Sequence, residues 1–324
     1  MEATIDFKLA DKVSRLIDEV NKVIVGQRSV ILKCILALLV DGNVLVEGVP
    51  GLAKTLIFKT LASATGGTFR RIQFTPDLLP ADITGTRVFN PQTLNFEVVL
   101  GPIFANFVLA DEINRAPAKV QSALLEGMQE KQVTIGNQTF PLPRPFIVMA
   151  TQNPIESEGT YPLPEAQLDR FIMKVKIDYP TFAEEKEILR RMQSNFDIPT
   201  VEKVIEINEI IDLQMEVEKI KVSTKIEDYI TKLVFITRKP HLYGLNALSK
   251  YIMYGASPRA TLAFIKLSKA LAFIDKRSFV IPEDIEYLAF DVLRHRIILT
   301  YEAQAENITT EDIILTIIKS LPKV

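Results

Sequence analysis

Residues 43–55 have the sequence NVLVEGVPGLAKT. The apolar run at its start predicts a buried strand, the Gly- and Pro-rich middle predicts a loop, and Lys54-Thr55 stands where a helix is expected to begin. Consecutive backbone N–H groups and a helix N-terminus in this arrangement attract phosphate oxygens. The stretch therefore predicts a phosphate-binding loop. The alternative is a strand, loop and helix without a ligand.

Within this loop, we expect Lys54 to reach the β- and γ-phosphates of a nucleotide and Thr55 to hold Mg²⁺. The usual pattern G-x-x-x-x-G-K-[ST] has glycine where this chain has Ala53. Because a residue entering a right-handed helix has negative φ, we expect Ala53 to carry no conformational penalty. The residues expected to contact the nucleotide here are Gly48, Val49, Pro50, Gly51, Leu52, Ala53, Lys54 and Thr55.

The composition is that of an ordinary globular protein. The chain has 324 residues, of which 48% are apolar and 24% charged, and this length predicts about two domains. Its 38 Lys and Arg residues nearly balance 40 Asp and Glu residues, for a net charge of −2. This balance gives no overall electrostatic attraction to nucleic acid or to an anionic membrane.

The inventory of special residues narrows the function further. The longest apolar run, from Cys34 to Val40, is too short to span a bilayer, and the first residues are acidic where a signal peptide would be basic. We therefore expect a cytoplasmic protein without a membrane span. Cys34 is the single cysteine, and His241 and His295 are the only histidines. These counts argue against an internal disulfide, a His/Cys metal site and a Ser-His-Asp triad.

The order of elements predicts an α/β fold with a doubly wound parallel sheet. After an amphipathic helix over residues 7–20, further apolar runs that predict strands are 69–74, 107–110, 146–151 and 171–177. Strands that alternate with helices form parallel sheets covered on both faces, with ligands at the C-terminal strand ends. From Pro180 onward the patterns are helical. We therefore expect an α/β domain over residues 1–179 and an all-α domain over residues 180–324.

Two segments interrupt this alternation. Residues 87–99 have two β-prone arms around Asn90-Pro91, and residues 132–141 have two around Gly136-Asn137. Both are expected to project as β-hairpins. They are either ordinary surface hairpins or elements that grip a partner or substrate.

Polar side chains follow two of the predicted strands. Asp111 and Glu112 end the strand that starts at Phe107, where charge is costly unless a cation or bound water uses it. We expect Asp111 to bind Mg²⁺ through water and Glu112 to polarise the water that attacks the γ-phosphate. Asn153 can position that water if its strand lies between the strands that carry Lys54 and Glu112. Otherwise Gln152-Asn153-Pro154 is only a turn.

Together these segments resemble the AAA+ ATPase superfamily, and more narrowly its MoxR family, over almost the whole chain. Residues 48–55 resemble that family's Walker A motif, in which alanine before the lysine is usual. Residues 111–116 resemble Walker B, 150–154 resemble sensor 1, and 71–85 resemble a hallmark segment of the family. The resemblance implies a fold with a helix-2 insertion, a second hairpin before sensor 1, and a C-terminal helical lid.

The resemblance also implies roles for residues outside these motifs. Val25 and Gly26 match a segment that lines the adenine pocket. Arg170 matches the arginine finger, which reaches into the ATP site of a neighbouring subunit. Without the resemblance, the favoured interpretation is a surface arginine at a helix C-terminus. Arg259 matches sensor 2 in the lid, and Ser257-Pro258 before it also suits an ordinary helix start. Whether Arg259 serves its own or a neighbour's nucleotide stays open.

The function implied is an Mg²⁺-dependent ATPase that assembles into a ring, expected to be a hexamer, and remodels a protein partner. MoxR-like proteins act as chaperones in maturation or metal insertion, commonly with partners that carry a von Willebrand factor A domain. The alternatives are a DNA-directed motor or helicase and the motor subunit of a metal chelatase. The hairpin tips, 90–92 and 136–138, lack Lys and Arg, so nucleic acid is not the expected partner.

Overall fold

The computed structural model describes residues 5–154, 159–193 and 199–322. Its strands are β1 (Val44–Glu47), β2 (Phe69–Gln73), β3 (Gly85–Asn90), β4 (Asn95–Leu100), β5 (Phe107–Asp111), β6 (Gln132–Ile135), β7 (Gln138–Pro141), β8 (Ile147–Gln152), β9 (Met173–Lys176), β10 (Ile252–Tyr254) and β11 (Ile298–Leu299). Its helices are α1 (Lys8–Val23), α2 (Arg28–Leu39), α3 (Lys54–Ala64), α4 (Pro80–Thr84), α5 (Ala118–Glu130), α6 (Glu165–Leu168), α7 (Phe182–Gln193), α8 (Ile207–Glu218), α9 (Thr224–Arg238), α10 (Pro258–Ile274), α11 (Pro282–Leu293), α12 (Tyr301–Ala305) and α13 (Thr310–Ser320).

The central sheet has five parallel strands in the order β2, β5, β8, β1 and β9. Strand β8 therefore lies between β5, which ends in Asp111, and β1, which leads into the phosphate loop. This is the order that the hypothesis for Asn153 requires. Because the strands run in one direction, the C-terminal ends of β1, β5 and β8 meet at the same edge, where ligands bind in such sheets.

Both faces of this sheet are covered. Phe107 and Leu109 of β5 pack into a core shared with α1, α2 and α3, whereas Val108 and Ala110 pack into a second core shared with α5. Strands buried on both faces need apolar residues at successive positions rather than at alternate ones. The predicted doubly wound α/β fold is confirmed.

The two predicted hairpins are confirmed as β3 with β4 and β6 with β7, both antiparallel. The first hairpin leaves Val88, Phe89 and Phe96 about half exposed. Arg87 lies over the Phe96 ring, with its guanidinium carbon 5.2 Å from the ring centroid. A role for these hairpins in gripping a partner stays a prediction.

The chain beyond Pro180 is helical as expected, with a correction at one place. Strands β10 and β11 form a two-stranded antiparallel ribbon in which Ile252 lies opposite Leu299. An entirely helical C-terminal part was expected because strands of three and two residues are too short to show a period-2 pattern. Their pairing depends on segments more than 40 residues apart in the chain.

The largest core joins the two ends of the chain. Val13 of α1 and Ile31 of α2 are fully buried in the same core as Leu213 of α8 and Phe264 of α10. The division into residues 1–179 and 180–324 stays a prediction. Within the described residues, no helix is long and apolar enough to cross a membrane.

Candidate functional site

The phosphate loop joins β1 to α3, as predicted. A Cβ atom at Gly48 would lie 2.1 Å from Cγ2 of Ile177, so the close approach of the chain after β9 admits only glycine at this position. Gly51 has φ +85°, in the left-handed region, and a Cβ there would meet open space. The loop therefore packs against the sheet at its first residue and has its open side at Gly51, where a phosphate is expected.

The expectation of a negative φ at Ala53 is wrong. Its φ is +55° and its ψ is 19°, which is the left-handed region, and it is the N-cap of α3 rather than its first helical residue. A left-handed conformation costs a non-glycine residue about 1–2 kcal/mol. The prediction failed because it placed Ala53 inside the helix, whereas the loop turns at Ala53 and the helix begins one residue later.

Lys54 is half-buried and lies over its own loop. Its Nζ donates a hydrogen bond to Gly48 O at 2.7 Å. Burial lowers the pKa of Lys54, while the nearby negative charges of Asp111 and Glu112 raise it in part. Lys54 is therefore close enough to the two carboxylates after β5 for their charges to act on it. Their shared role in ATP hydrolysis stays a prediction.

Asp111 is buried at the end of β5, and both of its carboxylate oxygens have partners. Thr151 Oγ1 donates to Oδ1 at 2.6 Å. Arg71 donates to Oδ2 from Nε at 3.0 Å and from Nη2 at 2.7 Å. The charge that would be expensive at a buried strand end is therefore balanced by a cation and a hydroxyl group.

Glu112 has a strained backbone and a well-held side chain. Its φ is +55°, and its N–H donates to Thr151 Oγ1 at 2.9 Å. Its Oε2 accepts a hydrogen bond from Gln73 Nε2 at 2.9 Å and pairs with Arg115 Nε at 3.1 Å. Backbone strain of this kind persists only where the surroundings impose it, and it is concentrated at functional sites.

Sequence reasoning missed the roles of Arg71, Gln73 and Thr151. The first two belong to the hallmark segment and Thr151 to the sensor 1 segment, but no local pattern assigned them a partner. Their partners lie about 40 residues away on a neighbouring strand: Gln73 is opposite Asp111 in the register of β2 with β5. Only a known strand order could have found them.

Asn153 directly follows β8 and is buried. Because β8 lies between β5 and β1, Asn153 is at the same sheet edge as the phosphate loop and Glu112. Its position fits the predicted contact with the attacking water, and this role stays a prediction.

The residues predicted to hold Mg²⁺ are of suitable chemistry. Thr55 lies in the first turn of α3 and offers a hydroxyl oxygen, and Asp111 offers a carboxylate; Mg²⁺ prefers such oxygen ligands. Bound there, the ion would neutralise charge on the phosphates. Over the described ranges, no group of three or more His, Cys, Asp or Glu side chains could hold a metal ion.

A cleft of about 700 Å³ lies beside β1, next to the phosphate loop. Its lining includes Gln27, Lys176 and Tyr179, and Lys176 is the register partner of Glu47 at the end of β1. Gln27 Nε2 donates to Asp178 O at 2.8 Å, which ties the segment before α2 to the chain after β9. Val25 and Gly26 directly precede Gln27, and their contact with adenine stays a prediction.

Arg170 and Arg259 lie elsewhere. Both are exposed and line a second cleft, of about 300 Å³, together with Asp41 and Asn43, which precede β1. The phosphate loop follows the other end of β1, so the length of that strand, roughly 13 Å, separates the two arginines from the loop of their own chain. Arg170 Nη1 donates to Leu125 O at 3.1 Å.

The fold and the first site define an ATPase of the AAA+ class. The phosphate loop follows β1, the two carboxylates follow β5, and a helical lid completes the chain. Residues 43–173 match the model of the ATPase family associated with various cellular activities (AAA), and residues 246–317 match the AAA lid domain.

Comparison with similar proteins identifies the family within this class. Chaperone MoxR1 of Mycobacterium tuberculosis is 50% identical over 96% of this chain and 82% of that protein. Protein MoxR of Methylorubrum extorquens is 27% identical over 96% of this chain and 95% of that protein. The crystal structure of an inferred ATPase from Cytophaga hutchinsonii has a TM-score of 0.93 and 52% identity, covering 98% of this chain and 96% of that one. The chain belongs to the MoxR family of AAA+ ATPases and hydrolyses ATP.

Proposed function

We propose that this ATPase works as a ring in which each ATP lies between two subunits, and that hydrolysis remodels a protein partner. One subunit supplies the phosphate loop, Glu112 and Asn153, with Mg²⁺ at Thr55 and Asp111. Its neighbour supplies Arg170 as the arginine finger. The observation that carries this proposal is the position of Arg170 at the sheet edge opposite the phosphate loop of its own chain.

Arg259 supports the same arrangement. It lines the cleft that contains Arg170 and lies 4.0 Å from Asp169, the residue before Arg170. Lys131, Lys266 and Arg296 line this cleft as well, against the acidic Asp41 and Asp169. An excess of cations suits the triphosphate of a neighbouring subunit, so we assign Arg259 to the neighbour's nucleotide rather than its own.

A protein client fits the surface better than nucleic acid does. The hairpin of β3 and β4 exposes apolar side chains, and neither hairpin tip contains Lys or Arg. One relative carries the name chaperone, and we extend that role to this chain as a proposal. A hexameric ring and a partner with a von Willebrand factor A domain follow from the family resemblance and belong to the same proposal.

Mixed rings test the shared site. Arg170→Ala should retain ATP binding but lose about a thousandfold in turnover, as for other arginine fingers. Lys54→Ala should lose ATP binding because the phosphates lose their nearest mobile cation. Randomly mixed in equal amounts, the two inactive variants should recover about a quarter of wild-type turnover, since a quarter of the interfaces then pair an intact loop with an intact arginine.

The control replaces an arginine outside both clefts. Arg190→Ala, on the surface of α7, should retain full turnover. If mass spectrometry shows mixed rings that are as inactive as both parents, Arg170 does not act in trans and the proposal is wrong. In that case Arg115, 3.1 Å from Glu112, is the next arginine to replace.

A further inference from the structure

The segment that carries Arg170 is held by a buried arginine of the lid. Arg296, just after α11, donates from Nε to Asp169 Oδ1 at 2.7 Å and from Nη2 to Phe171 O at 2.7 Å. Its Nη1 donates to Ile172 O at 3.2 Å. One guanidinium group thus binds the chain on both sides of Arg170, and its side chain is only 2% exposed.

Two more lid residues complete this attachment. Ser257, the N-cap of α10, donates its hydroxyl to Asp169 Oδ2 at 2.7 Å. His295 Nε2 lies 3.1 Å from Phe171 O. The two carboxylate oxygens of Asp169 therefore bind two different lid elements: Oδ1 binds the chain after α11 and Oδ2 binds the start of α10.

Arg170 itself is held much more loosely. Its side chain is exposed, and its hydrogen bond to Leu125 O is the contact that the structure records for its guanidinium group. Most of what determines its direction is therefore the backbone of residues 169–172. The N–H groups of this backbone bond to the α/β part, at residues 165, 167, 168 and 43, whereas the carbonyl groups of Phe171 and Ile172 accept from the lid.

The same stretch of the lid also reaches the cleft beside the phosphate loop. Arg294, two residues before Arg296, lines that cleft and donates from Nη1 to Lys174 O of β9 at 3.1 Å. It pairs with Asp291 at 3.1 Å, and Asp291 pairs with Lys33 of α2 at 2.6 Å. The end of α11 thus contacts both the cleft that would hold a subunit's own nucleotide and the segment that carries Arg170.

We propose that Asp169 is a positioning residue for Arg170, which it orients by binding Arg296 and Ser257 of the lid in the same subunit. This inference rests on the proposed function, because it takes Arg170 to serve the neighbouring subunit. Its consequence is that a lid movement at one ATP site changes the position of the arginine offered to the next site.

The test places Asp169→Asn separately in the two kinds of subunit of a mixed ring. Subunits with Arg170→Ala provide the working phosphate loop, and subunits with Lys54→Ala provide the working arginine. Added to the arginine-providing subunit, Asp169→Asn should lower the recovered turnover at least about tenfold, because misplacement of a catalytic group is costly. Added to the loop-providing subunit, it should leave the recovered turnover unchanged, since that subunit has no Arg170 to orient.

Equal losses in both placements would mean that Asp169 is merely structural and would overturn the inference. So would a homogeneous Asp169→Asn/Arg170→Ala double variant clearly slower than Arg170→Ala, because groups that act through one another are not additive. If the mixture without Asp169→Asn is already inactive, the proposed trans site fails instead. The matched control is Asp275→Asn. Asp275 is a half-exposed lid carboxylate paired with Arg277 outside the site, and its replacement should leave the recovered turnover unchanged in both placements.

Folding must be checked, since Asp169→Asn leaves the buried Arg296 without its counter-charge. The second variant is Asp169→Glu, which keeps that charge but lengthens the side chain by one methylene and so shifts residues 169–172. It should fold, and it should lower the recovered turnover only when it is placed in the arginine-providing subunit. The ATP affinity should not change. If a folded Asp169→Glu in that position leaves the recovered turnover unchanged, the inference is contradicted.

Discussion

Replacing Thr151 by valine should disturb the carboxylate of Asp111 and the backbone of Glu112 while preserving the shape of the core. Thr151 is fully buried. Its hydroxyl donates to Asp111 Oδ1 at 2.6 Å and accepts from Glu112 N at 2.9 Å. Valine has nearly the same volume but can make neither bond. The variant therefore isolates the hydroxyl group from packing.

The cost follows from these two bonds. A hydrogen bond to a charged group contributes about 1.5–3 kcal/mol, and an unsatisfied buried donor costs about 1–3 kcal/mol. Because the bond from Glu112 N is only part-buried, we expect a loss near the lower end, about 3 kcal/mol in the free energy of unfolding. Glu112 would also lose a contact that holds its left-handed backbone, and turnover should fall by about a hundredfold.

Urea unfolding and ATP turnover measure the two effects separately, with calorimetry to confirm that ATP still binds. The control is Thr65→Val at the end of α3, where the buried hydroxyl donates to Leu61 O at 3.0 Å and Ala62 O at 3.1 Å. It should lose about 1 kcal/mol of stability and no turnover. If Thr151→Val turns over ATP as fast as Thr65→Val, the hydroxyl does not position Glu112.

Two further predictions concern chemistry and pH. Glu112→Gln should bind ATP with unchanged affinity in calorimetry but hydrolyse it at least about a hundredfold slower, because the amide cannot accept the proton; turnover within a few-fold of the parent places the base elsewhere. Burial lowers the pKa of His295 well below 6.5, so below pH 6.5 the unfolded chain binds a proton that the folded chain does not. The stability that neutral His295 contributes is therefore present above pH 6.5. It is lost as the pH falls below 6.5, with a slope that approaches about 1.4 kcal/mol per pH unit. The free energy of unfolding, measured with urea at pH 7.5 and 5.5, should therefore change less between the two pH values in His295→Gln than in the wild type. An equal change in both proteins would contradict the assignment.

The sequence by itself determined the class of fold and the elements that carry the predicted site. A buried strand, a glycine-containing loop and a helix are each specified by neighbouring residues, so residues 43–55 predicted this strand, loop and helix correctly. The same holds for the apolar strand that ends in Asp111 and Glu112, and for the two hairpins. Such patterns are local because each side chain's face is set by the period of its own element.

Only the tertiary structure decided which of these groups meet. Arg71 and Thr151 flank Asp111 from strands about 40 residues away on either side, and the strand order that brings them together results from packing of the whole sheet. Asp169 binds Arg296 across 127 residues. The sheet also separates Arg170 from Lys54, because the two side chains lie at opposite ends of β1. Contacts of this kind depend on how distant segments bury their apolar faces together, which no local period in the sequence records.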